Sequence, residues 1–266
     1  MKILNGQELA GYVKERQAHL AGGLRARKKP CKLLIIRDSD NPVIVKYVTL
    51  KKNYGEDIGV KVEDYLAEGE EKIREAIERG NKDEEISGII VQLPLKTTDK
   101  TDELVKLIAP EKDVDGLSGN GKYDSATATA INWLLAGYGI ELNDKKIAIV
   151  GRGRLVGAPL IKMWGDSGYN LNVFHRGDDL SELKKYNVIV TATGVPHLIT
   201  DEMISSGAVV VDAGTASEDG VLVGDIEESI RERKDLMAVT PRIGGVGPLT
   251  VSVLFENVIN AANSKE

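Results

Sequence analysis

Cysteine is nearly missing from these 266 residues: Cys31 stands alone. A lone thiol excludes an internal disulfide and any cysteine-rich metal site. It heads an expected strand, where a buried, inert thiol is its natural state. Histidine is almost as scarce, and His19, His175 and His197 are scattered without metal-ligand spacing, so no metal is expected. No apolar run is long enough to cross a bilayer, and the first residues lack the apolar core of a signal peptide. Basic residues do not predominate: 35 Lys and Arg stand against 41 Asp and Glu, a formal net charge of −6. Without a basic stripe, the phosphate contacts that nucleic acid needs are absent. The short cluster Arg25 to Lys29 reads as a solvated helix end. Neither internal repeats nor low-complexity tracts occur. A cytoplasmic protein with room for roughly two domains is expected.

Apolar runs alternate with helical patterns along the whole chain, the mark of an α/β protein with parallel sheets. Helices are expected over 5–27, 41–57, 69–79 and 99–108, and strands over 32–36, 60–65 and 88–93. Asn41-Pro42 is a good helix start, with Asn as the cap and Pro in the first turn. The segment PEKDVDGLSGNGKYD, residues 110–124, fits neither pattern and marks an inter-domain boundary. A linking helix over 126–138 then leads into a second α/β set, with strands at 147–150, 171–174, 188–191, 208–211 and 237–239. Residues 221–223 can add a hairpin strand, and a helix over 249–262 ends the pattern.

The richest stretch is KKIAIVGRGRLVGAPLIKMW, residues 145–164. A β-branched run feeds a loop carrying Gly151, Gly153 and Gly157, and a helix begins near Leu155. Strand, glycine turn and helix in that order bind a dinucleotide pyrophosphate. Glycines let the backbone approach the phosphates, and the helix N-terminal N–H groups receive the charge. The GxGxxxG spacing departs by one residue from the usual fingerprint, and such triplets also occur as ordinary turns. In NAD-preferring folds an acidic residue about 20 positions further on binds the ribose 2′-hydroxyl. Here the next strand ends in His175-Arg176, and Arg152 and Arg154 sit in the glycine turn. Guanidinium groups suit a 2′-phosphate, which favours NADP. Asp178 and Asp179 weigh against this, since a small shift in register would bring one of them to the acid position. Thr193-Gly194 and Gly214 fall after later strands, at the carboxyl ends where ligands of open α/β sheets lie.

Tyr47 and Lys51 are four apart on one expected helix face. Tyr-x-x-x-Lys suits proton transfer, because a partly desolvated lysine can act as acid or base. The same pair occurs in short-chain dehydrogenases, but there the glycine loop comes first, the reverse of this order. Val91-Gln92-Leu93-Pro94-Leu95 ends a strand with an amide and a proline stop. Asp113-Val114-Asp115-Gly116 puts two carboxylates in a flexible segment, where turn roles are common. Gly244-Gly245-Val246-Gly247-Pro248 can wrap a flat ligand or serve as a plain connection.

In combination, order and spacing, these segments closely resemble the methylenetetrahydrofolate dehydrogenase/methenyltetrahydrofolate cyclohydrolase family over nearly the whole chain. The resemblance implies an α/β folate-binding domain (1–120, joined by a C-terminal helix over 248–266) and a Rossmann-type NADP-binding domain (121–247), with a cleft between them. It also implies a homodimer, tetrahydrofolate derivatives as ligands, and a place in one-carbon metabolism serving purine biosynthesis. Lys51 would be the catalytic lysine, held by Gln92 and Tyr47, with Tyr47 also stacking on the aminobenzoate ring. Asp115 would accept hydrogen bonds from the pterin amino edge. Leu93, Pro94, Gly244, Gly245 and Pro248 would line the folate pocket. Gly151, Arg152, Gly153, Arg154, Gly157, His175, Arg176, Thr193, Gly194 and Gly214 would hold NADP.

The chain departs from the family pattern in places. Ser125-Ala126-Thr127-Ala128 replaces Pro-Cys-Thr-Pro, Ile44 replaces a serine, Pro241-Arg242-Ile243 replaces Pro-Val-Pro, and Gly153 stands where serine is common. None of these touches Lys51, Gln92 or Asp115. Two other readings remain open at this point: an NADP-dependent dehydrogenase of another small substrate, and an NADP- or folate-binding protein without catalysis. The intact Tyr47, Lys51 and Gln92 set speaks against the second.

Overall fold

A computed structural model describes residues 1–96, 98–218 and 221–265. In chain order the elements are β1 (Lys2–Ile3), α1 (Gly6–Ala26), β2 (Lys32–Arg37), α2 (Pro42–Ile58), β3 (Lys61–Leu66), α3 (Glu70–Lys82), β4 (Gly88–Val91) and α4 (Thr101–Val105). Then come α5 (Ala126–Gly137), β5 (Ile147–Val150), α6 (Gly157–Asp166), β6 (Leu171–Phe174), β7 (Val188–Thr191) and β8 (Val209–Asp212). The chain continues through β9 (Ala216–Glu218), β10 (Val221–Val223), α7 (Glu228–Glu232), β11 (Ala238–Val239) and α8 (Val246–Asn263). Glu266, the end of the expected C-terminal helix, lies outside the described residues.

Two compact units emerge. The first comprises Gly11–Ala126 and Val251–Glu266, the second Met1–Ala10 and Thr127–Thr250. Residues 1–10, expected in the first domain, go with the second, because Lys2 and Ile3 pair in parallel with Ala238 and Val239. A two-residue strand carries no periodic pattern, so the sequence gives no sign of it. Residues 121–126, expected in the NADP domain, remain with the first unit.

The first unit is built on a parallel sheet of order β3-β2-β4. Leu33 to Ile36 of the central strand β2 are buried, as a parallel strand covered on both faces must be, and all of β4 beside it is buried as well. Helix α2 starts where Asn41 accepts a hydrogen bond from the Val43 N–H at 2.9 Å, a cap worth about 1 kcal/mol. Ile44 is buried on its inner face, so the residue that replaces the family serine is an apolar packing residue here. Strand β4 ends at Val91, two residues earlier than expected, and the Leu93–Pro94 bond that follows is cis.

The second unit holds a six-stranded sheet of order β1-β11-β8-β7-β5-β6, every neighbouring pair parallel. The chain goes from β5 outward to β6, then crosses back to β7 on the other side of β5. The order reverses between β5 and β7, and it is at the carboxyl ends beside such a point that an open α/β sheet binds its ligand. Strand β10, expected as a hairpin partner, pairs antiparallel with β9, and the expected strand ends of β8 and β11 shift by one residue. The core around β5, β7 and β8 is built mainly of aliphatic side chains, with Leu183, Ile199, Ile226 and Ile230 among them and Phe174 edge-on to Tyr186 at its border. Each such fully buried side chain stabilises the fold by about 1.5–3 kcal/mol.

Candidate active site

Lys51 and Gln92 meet in the first unit. Their elements bring them together: α2 returns along the sheet from Asn41, and Gln92 is the first residue past β4. The Gln92 backbone N–H donates to the Ile36 carbonyl at 2.7 Å, so the strand ladder continues one residue further and fixes the side chain's origin. Lys51 Nζ donates to Gln92 Oε1 at 2.7 Å, and Gln92 Nε2 donates to the Leu93 carbonyl at 3.0 Å. The amide is thereby oriented with its oxygen toward the lysine. Tyr47 lies one helical turn before Lys51 and is half-buried. Leu93 packs against the core, whereas Pro94 is exposed.

Asp115 acts electrostatically on this pair. Burial of the ammonium lowers the Lys51 pKa, while the Asp115 charge holds it up. Conversely, burial pushes the Asp115 carboxyl up to about 6, against the opposing pull of Lys51. Both residues are part-exposed as a whole, yet their charged ends sit where water is scarce. A lysine that loses its proton more readily than usual and a carboxyl that ionises near neutrality are the pairing proton transfer requires.

Two neighbouring residues of the same motif hold Asp115 in place, and sequence reasoning missed the first. Lys112, buried, donates to the carbonyls of Gly80, Asn81 and Asp83 at 2.8, 2.9 and 2.7 Å, capping the C-terminus of α3. The Asp113 carboxylate accepts from the backbone N–H groups of Gly116, Leu117 and Ser118. Of the two carboxylates in the motif, Asp113 therefore shapes the turn and Asp115 faces Lys51. Spacing and local chemistry do not say which carboxylate does which; only the family resemblance singles out Asp115.

In the second unit, Gly151 follows β5 with φ of 97°, and a Cβ there would lie 2.7 Å from the Ala192 carbonyl oxygen. A Cβ on Gly157 would lie 2.2 Å from the Gly151 carbonyl oxygen. These two glycines are required by the tightness of the turn. Gly153 is not: it is exposed and a Cβ would meet nothing closer than 3.7 Å. Helix α6 begins at Gly157, two residues later than expected, with Arg152 exposed and Arg154 half-buried in the loop before it. His175 and Arg176 are exposed directly after β6. The Asp178 carboxylate accepts from the His175 backbone N–H at 2.6 Å, and the Asp179 carboxylate from the Ser181 N–H at 3.0 Å. Both acids are committed to local turns, and the position just past β6 is left to a histidine and an arginine. A glycine turn at a helix N-terminus beside cationic side chains fits the phosphates of NADP.

Thr193 and Gly194 follow β7 and Gly214 follows β8, so all three lie at carboxyl ends of central strands. Gly244 and Gly245 belong to the second unit. Gly244 accepts from the Gln7 N–H at 2.9 Å, and a Cβ on Gly6 would lie 1.9 Å from the Gly245 oxygen. The glycine run is shorter than expected, since α8 starts at Val246 and takes Gly247 and Pro248 into its first turn, where proline is tolerated. Arg242 and Ile243 are exposed. Cys31, expected to be buried, is only partly so; burial nonetheless pushes its thiol up to about 11, which keeps it unreactive.

Residues 4–115 match the family model described as the tetrahydrofolate dehydrogenase/cyclohydrolase catalytic domain, and residues 125–266 that of its NAD(P)-binding domain. The chain belongs to the tetrahydrofolate dehydrogenase/cyclohydrolase family. It is 36% identical to the bifunctional protein FolD of Lactobacillus delbrueckii subsp. bulgaricus, over 97% of this chain and 96% of that one. Among solved structures, the bifunctional FolD enzyme of Campylobacter jejuni superposes with a TM-score of 0.93 at 30% identity, covering 99% of each chain. The Trypanosoma brucei dehydrogenase-cyclohydrolase, complexed with NADP and an inhibitor, has a TM-score of 0.87 at 27% identity over 98% of this chain and 97% of that one.

Proposed function

We propose that Lys51, held by Gln92 and beside Tyr47, carries the proton chemistry of a bifunctional folate enzyme, with Asp115 accepting from the pterin amino edge. The chain oxidises 5,10-methylenetetrahydrofolate with NADP+ and hydrolyses the methenyl product to 10-formyltetrahydrofolate. The 2.7 Å contact of Lys51 with Gln92 carries this reading, because it places a base of lowered pKa under a fixed amide.

NADP+ supplies the hydride acceptor. For the oxidation the chain's task is to hold the substrate's methylene carbon and exclude water, since hydride transfer depends on positioning. In the hydrolysis, water adds to the methenyl carbon and gives up a proton. The N5–carbon bond then breaks, N5 takes a proton, the carbinol hydroxyl releases its own proton to solvent as the carbonyl forms, and the formyl group stays on N10. Lys51 Nζ accepts the first proton and returns the second. A cationic substrate beside Lys51 disfavours the ammonium further, so substrate binding itself readies the base. Leu93, Pro94, Gly244, Gly245 and Pro248 are assigned to the folate pocket. Arg152, Arg154, His175 and Arg176 are assigned to the cofactor phosphates and ribose, on the glycine frame of Gly151, Gly153 and Gly157. The reading includes a homodimer acting in the cytoplasm.

An absorbance time course with 5,10-methylenetetrahydrofolate and NADP+, run beside NAD+, tests it. NADPH formation without lasting methenyl-folate absorbance is expected. Accumulating methenyl-folate removes the hydrolytic role of Lys51, and turnover with NAD+ alone overturns the arginine reading.

A further inference from the structure

The connection after β10 brings Asp225 into the core of the second unit, fully buried. Its Oδ2 accepts from the Thr193 backbone N–H at 2.7 Å. Its Oδ1 is buried and has no hydrogen-bond partner among the described residues. That oxygen faces Gly214 so closely that a Cβ there would lie 2.0 Å from it. One side chain thus ties down the loop after β7 and fills the space over the loop after β8. Burial first, and then the neighbouring Asp212 charge, raise the Asp225 pKa against the pull of its N–H donors.

A second carboxylate makes this possible. Asp212, at the end of β8, accepts from the backbone N–H groups of Gly214 and Asp225, each at 3.1 Å. Its other oxygen pairs with Arg231 Nη2 at 2.7 Å. A Cβ on Gly224 would lie 1.9 Å from that same oxygen. Asp212 therefore positions Asp225, and Gly214 and Gly224 are the two places where the packing admits no side chain.

Buried, incompletely satisfied carboxylates are costly, and such a group persists where it holds something that matters. What it holds here is set by topology. With the ribose of the adenosine half at the end of β6 and the pyrophosphate at the turn after β5, the nicotinamide half of a dinucleotide falls on the far side of β5, at the ends of β7 and β8. Resting on the NADP-dependent reading above, we propose that Asp225 is the positioning residue for the nicotinamide end of the cofactor, fixing Thr193–Gly194 through its oxygen and Gly214 through its bulk. Gly194 is in the left-handed region at φ of 67°, a conformation the anchored Thr193 N–H helps to hold.

The test compares Asp225→Ala, Asp225→Asn, Gly214→Ala and the double variant Asp225→Ala/Gly214→Ala. Calorimetry gives the Kd for NADP+, and hydrolysis of methenyltetrahydrofolate without dinucleotide reports the other unit. Loss of a buried hydrogen bond predicts that Asp225→Ala weakens NADP+ binding and raises its KM by about ten-fold or more, while hydrolysis changes by less than about two-fold. Asp225→Asn keeps an acceptor for the Thr193 N–H and retains binding within about three-fold. Gly214→Ala alone weakens NADP+ by displacing the carboxylate. In the double variant the methyl occupies the vacated space, so the two losses do not multiply. Unchanged NADP+ affinity in Asp225→Ala overturns the proposal, as do multiplying losses or a parallel collapse of hydrolysis. A wild-type protein that binds NADP+ without turning over folate fails the functional reading alone, and the affinities still decide the role of Asp225.

Discussion

Asp115→Asn is expected to make the protein more stable while disabling it. In the folded state burial pushes the Asp115 carboxyl from its ordinary 3.8 up to about 6, even with Lys51 nearby. At about 1.4 kcal/mol for each tenfold change in proton affinity, ionising Asp115 costs the fold about 3 kcal/mol at pH 8. The sign follows from linkage. A carboxyl whose folded pKa is raised favours the fold below the unfolded value of 3.8, and that advantage is lost as pH rises through about 6. Asparagine has nearly the same shape and never ionises. Water reaching the part-exposed residue trims the figure, so the variant should gain about 1–3 kcal/mol at pH 8, and about half as much at pH 5. Thermal midpoints at the two pH values read this directly, at about 2–4 °C for each kcal/mol. On the role proposed for Asp115, the pterin edge would lose its carboxylate acceptor, so the folate KM should rise in the same variant. A variant no more stable than wild type at pH 8, or a gap that does not widen from pH 5 to pH 8, would refute the account of Asp115 as a strained, function-bearing group.

Three further outcomes are expected. Lys51→Met should lose hydrolysis of the methenyl substrate far more severely than the NADP+-dependent oxidation; equal retention of both in paired assays would remove Lys51 from proton transfer. Arg176→Ala should raise the KM for NADP+ by about ten-fold or more while hardly changing turnover with NAD+, since the charge-assisted contact proposed to the 2′-phosphate would be lost; equal effects on both dinucleotides would place Arg176 elsewhere. Lys112→Met keeps the aliphatic stem but leaves the carbonyls of Gly80, Asn81 and Asp83 at the end of α3 without their ammonium donor, which should cost about 3 kcal/mol in denaturant unfolding, and a loss below about 0.5 kcal/mol would mean that water replaces the ammonium.

Most of the frame was legible in the sequence because it rests on local chemistry. Buried parallel strands are read from continuous β-branched runs, and β5, β6 and β7 lie on the expected residues. The Asn-Pro start of α2 and the glycine turn after β5 are likewise local, since each depends on a few residues' backbone preferences. Residue order along α2 also put Tyr47 and Lys51 on one face. What the sequence could not decide depends on partners far along the chain. The pairing of β1 with β11 joins residues 2 and 238, and only the folded sheet brings them together. The KDVDG segment offers two carboxylates that local chemistry does not tell apart; only the family resemblance picks Asp115, and it is packing that makes Asp113 a turn anchor and sets Asp115 beside Lys51. Asp225 gave no sequence signal at all, because its role comes from burial against Thr193 and Gly214, residues brought near it by the sheet. Pattern and propensity act over a few residues, whereas desolvation and hydrogen bonding in a core are settled by whatever tertiary packing places alongside.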